Sequence, residues 1–163
     1  MPDTKVGIKI AKETKIVRLK ELPLLDLQPL LVESRNQDFN FLDWLVREYA
    51  SGANRFDQPG EALFAIYSQS HMIAIGGLNG DPYLQESGIG RVRRVYVLSS
   101  WRRKGIGQRL MQQIVAEARL YFRLLTLRTF DERADKFYRA IGFQTEPEID
   151  GATHHLKLQY SYP

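Results

Sequence analysis

The chain contains no cysteine. That excludes disulfides, thiolate metal sites, cysteine nucleophiles and dithiol redox chemistry together. No apolar run approaches the roughly 18–20 residues of a membrane span. The start, MPDTKVGIKIAKETK, is interrupted by charge throughout, so a secretory leader is not expected and the cytoplasm is the default compartment. There is no internal repeat, no low-complexity tract and no linker that would divide the chain. Neither G-x-S-x-G nor H-E-x-x-H occurs, which leaves hydrolase and zinc-peptidase readings without support. Histidine is scarce at three residues. His154 and His155 are adjacent, and in a strand they would point to opposite faces, so no shared metal and no metal site are expected. His71 reads as a turn residue.

What is present suits one folded domain. The 163 residues are 44% hydrophobic and 26% charged, and a chain of this length buries roughly 70% of the surface that its unfolded form exposes. A single domain over residues 1–163 is expected, with 1–14 forming an extra edge strand (Lys5–Ile10 alternates) or a frayed start. The net charge is +4, but it is concentrated. Arg91, Arg93, Arg94, Arg102, Arg103, Lys104 and Arg109 fall in one stretch without an acidic residue. Without these seven, 16 basic residues face 19 acidic ones. Such a segment attracts anions, either nucleic acid or a small polyphosphate.

Periodicity predicts the following order. Lys15–Leu19 is a strand, and Leu24–Arg35 and Phe39–Ala50 are helices separated at Asn36–Asp38. Ala62–Tyr67 and Met72–Leu78 form a hairpin through Ser68–His71. Asn79–Gly88 is a loop. Ile89–Leu98 is a long strand with Val95 and Val97 on one face and Val92, Tyr96 and Leu98 on the other. Gly105–Phe122 is the strongest helix, with Ile106, Leu110, Ile114 and Ala118 at steps of four. Leu124–Leu127 is a buried strand, Arg133–Ile141 a short helix stopped at Gly142-Phe143, and His154–Tyr160 the last strand. The fold class is α/β (α+β), a mixed sheet flanked by helices. Trp44, Phe39 and Phe41 are assigned to the core.

The chemistry is carried by RVRRVYVLSSWRRKGIGQRLMQQ. A strand ends, a basic loop follows, and two glycines open a helix. Backbone N–H groups converge in such a turn, the helix N-terminus adds positive potential, and missing side chains let a phosphate approach. Arg102, Arg103 and Lys104 add charge. The dinucleotide fingerprint fails because Leu110 stands at its third glycine and Arg128 replaces its acidic residue. The P-loop fails because Lys104 precedes Gly105 and Gln108 follows Gly107.

Arg102-x-x-Gly105-x-Gly107 after Val-Tyr-Val resembles the pyrophosphate loop of the GNAT superfamily of acyl-CoA-dependent N-acyltransferases. A second segment, Ala134-x-x-Phe137-Tyr138-x-x-x-Gly142-Phe143, resembles the family's A-x-x-F-Y-x-x-x-G-F. The resemblance covers Ile89–Phe143, with compatible element order from Lys15 onward. It implies a mostly antiparallel sheet with a splayed central strand pair, and acetyl-CoA as co-substrate. The main chain of Val95 and Val97 would pair with the pantetheine amides. Residues Arg102, Arg103, Lys104, Gly105, Ile106 and Gly107 would hold the pyrophosphate. Tyr138 would protonate the departing thiolate, since a phenol of pKa ~10 stays protonated at pH 7. Asp131 stands where the family often has a cofactor-contacting Asn; the helix-cap reading is favoured, because a carboxylate would repel phosphates.

One position departs from the pattern. Many members carry a Glu where Arg91 stands, and an arginine cannot deprotonate an amine. The base is then a water chain, Glu61, Glu86 or another residue outside the motif, or the amine has a low pKa. The expected activity is transfer of an acetyl group to a primary amine of a small molecule or peptide, directly in a ternary complex, since no nucleophile suggests a covalent intermediate. Leu24–Gly60, Asn79–Gly88 and Asp150–His155 would select the acceptor: amino acid, polyamine, aminoglycoside-like compound or protein N-terminus. A homodimer is common in the family, and no membrane partner is expected. The rivals are a non-catalytic CoA sensor and, further behind, a nucleic-acid module.

Overall fold

The computed structural model describes residues 13–159. The expected strand at Lys5–Ile10 and the end of the last one at Tyr160 lie outside them. Along the chain run β1 (Thr14–Arg18), α1 (Leu24–Asn36), α2 (Phe41–Ser51), β2 (Ala62–Ser68), β3 (His71–Gly80), β4 (Ile89–Val97), a 3-10 turn (Ser99–Trp101), α3 (Ile106–Ala118), β5 (Leu124–Leu127), α4 (Glu132–Ala140) and β6 (His154–Lys157). The strands form one sheet in chain order, β1-β2-β3-β4-β5-β6. All neighbours are antiparallel except β4 and β5. A parallel pair needs a long crossover, and α3 supplies it.

Two apolar cores cover the two faces of the sheet. On one, α3 buries Ile106, Leu110, Met111, Ile114 and Ala118 against Phe64, Ile73, Leu78, Val92 and Leu125, with Tyr138 of α4 in the same cluster. On the other, Leu27, Leu30 and Leu31 of α1 and Leu42 and Leu45 of α2 pack on Leu63, Ile75 and Tyr96. Each helix presents one apolar stripe, as its 3–4 spacing dictates. Trp44 is the exception to the expected core: it is half-exposed beneath Arg47. It lies between Leu42 and Leu45 in sequence, which places it away from the buried stripe, whereas Phe39 and Phe41 pack on the core as expected.

The long strand carries a bulge that the alternation did not foresee. Gly77 pairs with Arg93 and Ile75 with Tyr96, so Arg94 and Val95 together stand opposite Gly76. Arg94 is left-handed, at φ 60°. One extra residue reverses the alternation beyond it. Val92 therefore shares the α3 side with Val95 and Val97, while Tyr96 faces α1 and α2. The expected grouping of Val92 with Tyr96 is corrected on that ground. Two boundaries also moved. β3 continues through Asn79 to Gly80, paired with Gly90, so the loop starts at Asp81. Helix α3 ends at Ala118, because Leu120 and Tyr121 donate to carbonyls three residues back and tighten its last turn.

Pairing between β4 and β5 is short. It covers Ile89, Gly90 and Arg91 against Leu124, Leu125 and Thr126 and then stops. From Val92 to Val97 the β5 side of β4 has no strand partner among the described residues. The sheet is forked at its centre.

Candidate functional site

The anion loop follows directly from the open limb of the fork. Arg102 does not extend into solvent: its Nε donates to the carbonyl of Val97 at 3.0 Å and its Nη2 to Gln37 at 3.0 Å, with the guanidinium 5.4 Å from the Tyr96 ring centre. It ties the loop to the end of β4 and to the end of α1. Ser99 does the same from the other side, donating its N–H to the Glu33 carboxylate at 3.0 Å. Trp101 packs against the α3-side core with Lys104 over its ring. Arg103 (φ 58°) and Gly105 (φ 79°) are left-handed and turn the chain into α3.

That helix starts bare. Among the described residues no side chain caps it, and its first turn holds no acidic residue. Its first closing bond runs from Arg109 N–H to the Gly105 carbonyl at 3.0 Å, so the N–H groups of Ile106, Gly107 and Gln108 have no partner within the helix. A Cβ on Gly105 would meet no atom within 4 Å, whereas one on Gly107 would lie 3.3 Å from Phe137 and 3.7 Å from Val97. Arg103 and Lys104 are exposed beside it. Free amide donors, a positive helix end, two solvent-facing cations and an uncovered glycine suit a pyrophosphate.

Phe137 brings α4 against this loop. Asp131 caps α4, its carboxylate accepting the Ala134 N–H at 3.0 Å. Tyr138, one residue on, is buried among Phe137, Phe143 and His154, with ring centroids 5.2, 5.5 and 6.0 Å away. Burial pushes its phenol well above the ordinary value, so it keeps its proton at any working pH. The two histidines diverge, as strand geometry requires. His154 Nε2 lies 2.7 Å from Asp135 and its Nδ1 2.7 Å from the Thr153 hydroxyl, while His155 donates to the Pro147 carbonyl at 2.9 Å. Among the described residues no cluster suited to a metal exists. His71 is exposed and opens β3 beside the two-residue turn.

The basic stretch is largely spoken for. Arg109 donates to the Thr14 carbonyl at 3.0 Å. Arg94 pairs with Glu48 of α2 at 3.0 Å. Arg91, its side chain 6% exposed, lies at the closed end of the fork, 3.5 Å from the Asp81 carboxylate. It donates to the Gly151 carbonyl at 2.9 Å and stacks 4.5 Å from the Tyr83 ring centre. For Asp81, burial alone would raise the pKa. The Thr126 hydroxyl, the N–H groups of Leu84 and Tyr83 and the Arg91 charge outweigh it and hold the carboxyl below its usual range. Arg91 is thus a structural cation, not a base. Of the other candidates, Glu86 pairs with exposed Arg123, whose N–H bonds Gly88 just ahead of β4, on the far side of the closed end. Glu61 is engaged by Asn79, Gly80 and Gln58. Gln37, Glu48, Asp81 and Tyr83 had no motif to announce them. Only the Asp-Pro turn at Asp81 left a local trace.

The model of a family described as acetyltransferase (GNAT) domain matches residues 59–145. The chain is similar to the crystal structure of a protein from Exiguobacterium sp. 255-15 assigned as an acetyltransferase: 31% identity, 88% of this chain and 93% of that one covered, TM-score 0.78. An acetyltransferase from Streptococcus agalactiae 2603 shares the fold at 14% identity, covering 91% and 99% of the two chains at TM-score 0.70. So does a GNAT-family acetyltransferase from Staphylococcus aureus Mu50, at 14% identity, 90% and 99% coverage and TM-score 0.64. The comparison with curated proteins found no match.

Proposed function

The chain belongs to the GNAT acetyltransferase family of acyltransferase enzymes, and from that premise we propose that it moves an acetyl group from acetyl-CoA to a primary amine by direct transfer. The observation that carries this reading is the uncapped start of α3, placed at the open end of the β4–β5 fork. The bare Gly105, the N–H groups of Ile106, Gly107 and Gln108 and the side chains of Arg103 and Lys104 would hold the pyrophosphate, with Arg102 holding the loop in place. The unpaired edge of Val95 and Val97 would accept the pantetheine amides as an added strand. The thioester supplies an activated acyl group.

The chain's own residues then orient the reaction and move one proton. Tyr138, kept protonated by burial, is the donor to the departing sulfur. β4 carries no carboxylate of its own and Arg91 is committed to Asp81, so the amine loses its proton to water. An amine of pKa ~10.4 is free in about one molecule in a few thousand at pH 7, so an amine nearer 8 is the better acceptor. No helix among the described residues is long and apolar enough to cross a membrane, consistent with action in the cytoplasm.

Initial rates with acetyl-CoA and amine varied together test the proposal. Thiol release should give intersecting reciprocal plots, and kcat/KM should rise with the acceptor's own ionisation. Parallel plots would overturn direct transfer. A limb near pH 5–6 that disappears on mutating one carboxylate would overturn the absence of a protein base.

A further inference from the structure

Three arginines stand together where the fork closes. Val92 points to the α3 side, so Arg91 and Arg93 point to the α1/α2 side, and the bulge sends Arg94 there as well, onto Glu48. Phe137 and Val97 pack beside Gly107 on the opposite side, so the arginines and the cofactor loop's apolar cover lie on different faces of the sheet. The cluster is short of negative charge. Asp81 serves Arg91 and Glu48 serves Arg94, and no ion pair within 4.0 Å involves Arg93 among the described residues. Arg94 Nε is a buried donor without a hydrogen-bond partner, and Arg91 Nη1 has only its 3.5 Å ion pair with Asp81. Burial lowers the pKa of both, and the charge of Arg93 lowers it further in each. Three crowded cations with two carboxylates between them favour an anion and disfavour a polycation.

We infer that the acceptor amine carries a carboxylate, bound by Arg93 in the field of Arg91 and Arg94 beside the exposed ring of Tyr83. A planar carboxylate matches the forked donors of a guanidinium. This deepens the proposed acetyltransferase function and rests on it. It narrows the acceptors to amino-acid-like molecules and sets polyamines aside.

Two readings separate the claims. The first is kcat/KM, expressed per unprotonated amine, for each of the twenty amino acids, their carboxamides, and linear polyamines. At least one amino acid should exceed its carboxamide by about 100-fold, because a site built for a charged partner rejects the analogue that lacks it. Arg93→Gln should raise KM for that acid about 10-fold or more and leave KM for acetyl-CoA unchanged, with partial rescue in Arg93→Lys. Equal or better use of carboxamides or polyamines overturns the inference. The second reading is the arginine Nε–Hε NMR spectrum of the CoA-saturated protein, titrated with N-acetylglycine, N-acetylglutamate and N-acetylphenylalanine and with their amides. The acids should move the Arg93 and Arg94 resonances and the amides should not. Unmoved resonances overturn the carboxylate site while CoA binding keeps the family reading intact. If CoA added beforehand moves no resonance and the acids still move those of Arg93 and Arg94, the acetyltransferase reading alone is overturned.

Discussion

Arg91 and Tyr138 differ in what their burial does. Arg91 loses water and is compensated by Asp81, the Gly151 carbonyl and the face of Tyr83. Tyr138 loses water and simply keeps its proton. Tyr138→Phe retains the ring packing with Phe137, Phe143 and His154 and removes only the hydroxyl. Steady-state assays should show kcat down about 100-fold with KM for acetyl-CoA nearly unchanged. An unchanged kcat would show that another group protonates the sulfur. Asp81→Asn tests the other residue. The carboxyl is held below its ordinary pKa, so its contribution is present above about pH 4 and is lost as pH falls through the lower, folded value. The variant leaves Arg91 buried without its anion and should lose about 3 kcal/mol in urea unfolding at pH 7. The gap to the parent protein should shrink as both are taken to pH 3. At this scale the sequence was partly legible. Asp131 read as a cap because an Asp just before a helical run has a local partner. The partners of Arg102 did not, because Gln37 lies 65 residues away.

Among the elements, the junction of β4 and α3 matters most. Its glycines had a readable mechanism, since a positive φ and a bare approach are local properties. Gly105→Ala meets no neighbour but must adopt φ 79°, so thermal unfolding should report about 1 kcal/mol of lost stability, together with weaker acetyl-CoA binding. Binding as tight as the parent's would remove this loop from the cofactor site. Strands and helices were found close to their predicted spans, because each carries one apolar face. The bulge at Arg94 was not legible. An inserted residue leaves hydrophobic Val92, Val95 and Val97 in place but changes which of them share a side, and only the pairing with β3 reveals it. The same bulge decides where three arginines point.

For the whole molecule, the order of elements and the mixed sheet followed from alternating periodicities. The fork followed only from the resemblance, since a pairing that stops after Arg91 leaves no mark in composition. Net charge was the least informative quantity. The basic stretch that makes the chain +4 spends Arg91, Arg94, Arg102 and Arg109 on internal contacts, and leaves Arg103 and Lys104 exposed at the helix start. Binding of the acetyl-CoA diphosphate at this helix start is tested directly by thermal unfolding with and without acetyl-CoA. At 100-fold excess over Kd the protein should gain about 2.7 kcal/mol, a Tm rise of roughly 5–10 °C for a chain of this size. Reversing Arg103 and Lys104 to Glu should abolish most of that rise. No rise in the parent protein, or an equal rise in the reversed variant, would contradict the account.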